Sequence, residues 1–195
     1  MALGKQAKTL SKGQVEALLG YVAKTRHSDR NRVIVLLSVR AGLRAKEIAS
    51  LTWEMITDSE GSIGMAIHLQ DKASKGRSGR IIPMNSELRR ALEALRASPA
   101  RSRPSPYVIA TERAPKTSAQ AVVNLFFRWY AEMGFSGCSS HSGRRTFITN
   151  AARKISTVGG SLRDVQMLAG HSNLSTTQRY IDANGDAQRR VVELT

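Results

Sequence analysis

Leu168-Ala169-Gly170-His171-Ser172-Asn173-Leu174-Ser175-Thr176-Thr177-Gln178-Arg179-Tyr180 is the stretch that decides how this chain folds and what it can do. Gly170 follows an apolar-periodic run and ends a helix, because glycine takes the left-handed C-terminal conformation without a Cβ clash. His171 then falls in a loop. A cap near Ser175 opens a short helix over residues 176–181, which delivers Tyr180. Alone, this is a helix-turn-helix whose tyrosine packs, since a phenol is a poor nucleophile until a neighbour takes its proton.

Three upstream segments place further chemistry-bearing residues at breaks in the helical pattern. His141-Ser142-Gly143-Arg144-Arg145 opens a helix over 142–154, and residues three apart share a face, so His141 and Arg144 can address one group of substrate atoms. Ala41-Gly42-Leu43-Arg44-Ala45-Lys46-Glu47-Ile48 sets Arg44 after a glycine break at the start of a helix over 45–51. It is either a surface arginine at a helix entry or a phosphate clamp, for which a guanidinium fork is the apt group. Between them, two β-compatible runs at 65–69 and 80–84 flank the polar stretch 70–79, a hairpin with a basic tip. Its cations are either solvated or poised to enter a DNA groove, where a lysine can protonate a leaving oxygen.

The remaining chain is helical in pattern. Ser11 caps a helix over 14–24 with Val15, Leu18, Leu19 and Val22 at helical spacing, and 31–39 carries the run Val33-Ile34-Val35-Leu36-Leu37. Helices follow over 86–97 and 119–133, the latter with a stripe of Val122, Val123, Phe126, Phe127 and Tyr130, and an amphipathic tail spans 187–194. Three prolines bar a regular helix from 98–106. The expected class is α+β, mainly α-helical, with a small antiparallel sheet. With 30 Lys and Arg against 15 Asp and Glu, the net charge of +15 calls for a polyanionic partner, because neutralised phosphates release condensed counterions. A membrane surface is the rival polyanion, but no apolar run approaches the roughly 18 residues of a spanning helix. The amino terminus lacks a signal peptide's apolar stretch, so an intracellular location is expected. Cys138 stands alone, and four scattered histidines show no metal-ligand spacing; neither metal nor cofactor is expected.

Together and in this order, the segments resemble the catalytic domain of the tyrosine recombinase (phage integrase) family. The carrying motifs are AGLRxxE over 41–47, a hairpin lysine, HxxR at His141 and Arg144, and GHxxxxTTxxY ending at Tyr180. The resemblance spans about residues 10–190 and implies a site of Arg44, Lys75, His141, Arg144, His171 and Tyr180. Lys75 is preferred because it opens a Lys-Gly turn eight residues before Pro83, similar to the family's spacing; Lys72 competes. Two positions depart from the family: Gly143 stands where a leucine is common, weakening helix packing slightly, and Arg145 where a histidine is common, adding a candidate phosphate contact.

The resemblance further implies attack by Tyr180 on phosphorus, giving a 3′-phosphotyrosine and a free 5′-hydroxyl. Arg44 and Arg144 would grip the non-bridging oxygens and Lys75 would protonate the departing 5′-oxygen. His141 would help accept the tyrosine proton, and His171 would hydrogen-bond the phosphate. Double-stranded DNA is the expected partner, with a homo-tetramer on DNA and an accessory DNA-bending protein as further expectations. The family similarity begins almost at Met1, as in the short recombinases of fimbrial phase variation. A single catalytic domain is therefore expected over 1–195, without an amino-terminal core-binding domain: a core of about 10–185 and a tail of 186–195 that docks on a neighbouring subunit or caps its own. The other explanation of the early start is that the sequence is a piece of a longer recombinase. The rival functions are a non-catalytic DNA-binding protein of the same fold and a type IB topoisomerase-like or telomere-resolving enzyme.

Overall fold

A computed structural model describes residues 7–73, 79–99, 104–112, 114–181 and 192–193. The first helix, α1 (Lys12–Val22), opens on a reciprocal cap: Gln14 N–H donates to Ser11 Oγ at 3.2 Å and Ser11 N–H to Gln14 Oε1 at 2.9 Å. Next, α2 (Ser28–Ala41) is the central element, packed against α1 and three later helices. Its continuous run Val33–Leu37 is fully buried, as a helix apolar all round requires. Gly42 ends it in the left-handed region at φ 65°, and a Cβ there would overlap the Phe147 ring. The chain then enters α3 (Ala45–Ser50).

Strands β1 (Ala66–Leu69) and β2 (Arg80–Pro83) form a two-stranded antiparallel sheet with Ala66 opposite Pro83 and Leu69 opposite Arg80. Ile67, Leu69 and Ile82 point into the core, while Ile81 faces outward, following the period of two. A one-turn 3-10 helix, Asp71–Ala73, follows β1, and Gly79 N–H donates to Asp71 Oδ1 at 2.7 Å where the chain returns. The hairpin tip, including Lys75, lies outside the described residues.

Helix α4 (Ser86–Ala97) buries Leu88, Leu92 and Leu95. In α5 (Ala119–Glu132) the buried stripe is Val122, Phe126, Trp129 and Tyr130, whereas Phe127 is 73% exposed. The stripe read from sequence included Phe127 and left out Trp129. The true stripe runs through Trp129, one helical row away, so Phe127 is turned toward solvent. Helices α6 (Ser142–Lys154) and α7 (Leu162–Ala169) follow, and α7 ends at Gly170 in the left-handed region at φ 63°. The last, α8 (Leu174–Gln178), is capped by Asn173, whose side chain accepts from Ser175 N–H. It therefore starts and ends before the 176–181 span expected from sequence. Tyr180 sits in the tight turn after it, its N–H on Thr177 O at 3.0 Å. Of the tail, Val192 and Glu193 are described and the rest of 187–194 is not.

Gly143 also differs from expectation. A Cβ on it would overlap Ser38 Oγ and lie 3.0 Å from both Ser38 Cβ and Val39 Cγ1. Glycine at this position allows α6 to lie directly on α2, so it permits the packing instead of weakening it.

Candidate active site

Two helix breaks and one helix start converge on a cleft of about 480 Å³. Gly42 ends α2 so that Arg44 becomes the extended N-cap of α3, at φ −75° and ψ 157°. His141 precedes α6, where Ser142 N–H on Ser139 O at 2.8 Å and Ser139 N–H on Ser142 Oγ at 3.0 Å tighten the entry. Gly170 ends α7 and releases His171, and α8 returns the chain to Tyr180. Arg44, His141, Arg144, His171 and Tyr180 all line this cleft, joined by Arg145 and Arg179. Lys75 lies outside the described residues, and Lys72 stands in the 3-10 turn after β1.

Arg144 is buried and held by three protein partners. Its guanidinium donates to Gly42 O at 2.6 Å, to Ala169 O at 2.7 Å and to His171 Nε2 at 3.1 Å. Ala169 is the last residue of α7 and Gly42 the C-cap of α2, so one side chain ties both helix ends together and satisfies carbonyls left open there. Burial, and then repulsion from Arg44, push the Arg144 guanidinium down to about 10, which leaves it cationic at neutral pH.

His171 is pushed down to about 4, first by burial and then by Arg144, Arg44 and Arg80. The imidazole is neutral at physiological pH, so Nε2 accepts from Arg144 and Nδ1–H donates to the fully buried Thr177 hydroxyl at 2.9 Å. In this state His171 holds an arginine in place.

Glu47 and Arg80 belong to the same assembly and were not singled out from sequence. Glu47 is fully buried, and its carboxylate accepts from Arg44 Nη1 at 2.9 Å, from Arg44 N–H at 2.8 Å and from both terminal nitrogens of Arg80 at 3.0 and 3.1 Å. Burial pushes the Glu47 carboxyl up, but the hydrogen bonds and charges of Arg80 and Arg44 outweigh it and the net shift is downward. Arg80, its side chain only 6% exposed, also donates from Nε to Leu168 O at 2.9 Å. It thus pins the base of the hairpin to α3 and α7. The available signals were the Arg44–Glu47 spacing of three, which fits one helical turn, and the inward register of Arg80 beside Gly79.

One carboxylate facing Arg44, Arg80 and Arg144 leaves the site net positive, and among the described residues no carboxylate lines the cleft. Such a cleft receives an anion whose oxygens can take guanidinium N–H bonds. Beside it the Tyr180 ring stacks on His171, centroids 5.7 Å apart at 22°, and lies under Arg145. A phenol ring, a fixed arginine pair and a neutral imidazole beside a positive cleft are groups suited to transesterification at phosphorus.

Comparison with known proteins points the same way. The sequence matches the phage integrase family over residues 8–186. It is 29% identical over 188 residues to tyrosine recombinase XerA of Thermococcus kodakarensis, covering 95% of this chain and 62% of that protein. It is 32% identical over 189 residues to tyrosine recombinase XerD of Pseudomonas aeruginosa, covering 91% and 58%. The chain therefore spans about three fifths of the length of these curated relatives. Its fold is similar to that of the Tn1549 transposon integrase in complex with a circular intermediate DNA, with a TM-score of 0.77 at 20% identity over 97% of this chain and 66% of that one. It is also similar to the crystal structure of a XerA recombinase, with a TM-score of 0.72 at 23% identity over 95% and 64%.

Proposed function

The chain belongs to the phage integrase family, and on that premise we propose that it is a site-specific DNA recombinase that cuts and rejoins strands through a 3′-phosphotyrosyl intermediate. The observation that carries this reading is the positive cleft that gathers Arg44, His141, Arg144 and His171 around Tyr180.

A DNA phosphodiester resists attack because its non-bridging oxygens are anionic and its leaving alkoxide is poor. Arg144, held by the Gly42 and Ala169 carbonyls, and Arg44, held by Glu47, are in place to meet the developing charge. Tyr180 Oη attacks phosphorus, His141 helps take the phenolic proton, and the 3′-phosphotyrosine forms as the 5′-oxygen departs with a proton from Lys75. Lys72 is the competing donor. The Thr177 hydroxyl can donate to Nδ1 as well as accept from it. The same pair therefore supports the tautomer in which His171 Nε2–H turns to a phosphate oxygen once DNA displaces the Arg144 contact.

The phosphotyrosine conserves the phosphodiester bond energy, so another 5′-hydroxyl can attack and rejoin without ATP. On this reading residues 10–185 are the catalytic unit, double-stranded DNA is the partner and two duplexes are exchanged within a homo-tetramer, aided where needed by a DNA-bending protein. The tail at 186–195 docks on a neighbouring subunit or caps its own.

The test offers the protein DNA fragments flanking its own gene and isolates covalent adducts that survive denaturant. A phosphotyrosine mapped to Tyr180 by mass spectrometry and lost in Tyr180→Phe is the expected result. DNA bound without any adduct, alone or with a DNA-bending partner added, identifies a non-catalytic binder, and site-indifferent relaxation of supercoils identifies a topoisomerase.

A further inference from the structure

Arg145 is the cation of the 141–145 segment to which the mechanism above gives no task. It follows Arg144 in α6, its backbone N–H donates to His141 O at 2.9 Å, and it lines the same cleft. Its guanidinium carbon lies over the Tyr180 ring, 5.6 Å from the centroid. That is within the roughly 6 Å range in which a cation is drawn to the negative face of an aromatic ring.

The backbone around Tyr180 explains why such a contact matters. Tyr180 stands beyond the end of α8, a helix of five residues, in a turn closed by Tyr180 N–H on Thr177 O and Ile181 N–H on Gln178 O. The apolar cluster nearest to it has Ile148, Val165 and Ala169 as its buried members, and the Tyr180 ring is partly buried against them. A short helix and a partial apolar seat leave ring orientation to side-chain contacts. Among the described residues two are present: the stack on His171 and the guanidinium of Arg145. A guanidinium acting as a phosphate contact alone has no need of an aromatic face.

We propose that Arg145 is a positioning residue for Tyr180, its guanidinium capping the phenol ring so that the hydroxyl is aimed at the anion pocket of Arg44 and Arg144. The inference rests on the recombinase reading for its purpose, but the contact itself is testable without DNA.

The full chain is labelled with ring-13C tyrosine, and the Tyr180 signal among the four tyrosines is the one absent in Tyr180→Phe. Arg145→Met keeps an unbranched apolar stem and removes the guanidinium with its charge. It is expected to move the Tyr180 ring signal toward the position of a solvent-averaged tyrosine, with the other three unmoved. Arg145→Lys, which keeps a cation, is expected to stay near the wild type. Should Arg145→Met disturb every tyrosine, Arg145→Gln replaces it. On cleavable DNA, the single-turnover rate of adduct formation is expected to fall about tenfold in Arg145→Met and to recover in part with lysine, while DNA affinity and its salt dependence hold.

An unmoved Tyr180 signal in Arg145→Met overturns the proposal. So does a weaker DNA affinity whose salt slope drops by about one with the ring signal unchanged, which makes Arg145 a phosphate contact. If the wild type forms no adduct on any fragment, the recombinase reading fails, and the ring signal alone still decides whether Arg145 holds Tyr180.

Discussion

The apolar interior around α2 and the small one beneath α7 are built on different principles. The first draws Leu18, Leu37, Leu43, Leu51, Ile67, Leu92 and Phe126 from helices, sheet and loops into one continuous buried cluster. Among the described residues the second has Ile148, Val165 and Ala169 buried, with Phe147, Leu162 and Tyr180 packed partly against them. What α7 lacks in apolar area is made up by directed bonds: Arg144 to Ala169 O, Arg80 to Leu168 O and Gln166 Nε2 to His171 O at 2.9 Å. Apolar burial is non-directional and holds a fold together; hydrogen bonds from fixed arginines specify where a chain segment sits. The scaffold uses the first and the tyrosine-bearing segment the second. A segment held this way is expected to open below the global unfolding free energy.

The contrast can be broken most forcefully in the large core. Leu37→Ala removes a fully buried side chain of α2 and is expected to cost about 3 kcal/mol, read as a fall in the urea midpoint of the whole molecule. Val165→Ala, in the small cluster, is expected to speed hydrogen exchange in α7 and α8 while α2 stays protected. Equal loss of protection in both regions would mean that the two interiors are one cooperative unit.

Gly143→Ala tests the junction between the regions. Its methyl meets Ser38 and Val39, so a loss of roughly 2 kcal/mol is expected, with most of it restored by adding Ser38→Gly. A neutral Gly143→Ala would show that α6 can lift off α2 without penalty. Smaller again is Thr177→Val, which leaves His171 Nδ1–H without its buried acceptor and is expected to cost about 1 kcal/mol in thermal stability.

A further effect is a pH dependence. His171 titrates near 4 in the folded chain, below its ordinary 6.5, so the unfolded chain takes up the proton first. Its contribution to stability is complete above pH 6.5 and is lost as the pH falls toward 4. The drop in Tm across that window is expected to be smaller in His171→Gln. An identical drop in both proteins would place the acid sensitivity elsewhere.

Much of the site was legible in the sequence because its residues stand where local rules are broken. Arg44 and His171 follow glycines that close helices, and His141 precedes a helix start; such breaks are visible without any tertiary contact. Glu47 and Arg80 were not legible as site residues. One reads as an ordinary carboxylate in a helix's first turn and the other as one more cation of a basic hairpin, until the fold buries both and pairs them. The α8 boundary was misplaced for a related reason: Asn173 and Ser175 are both good caps, and only the folded chain shows which one engages.

Sequence by itself determined the order of helices and strands, the glycine breaks, the charge surplus and the set of chemistry-bearing side chains, because caps, periodicity and composition are local properties. The tertiary structure decided which arginines are buried, which tautomer His171 holds, why Gly143 is a glycine and what covers the Tyr180 ring. Those depend on atoms brought together from distant parts of the chain. Arg144 and the Gly42 carbonyl that fixes it are 102 positions apart, a distance over which no local pattern carries information.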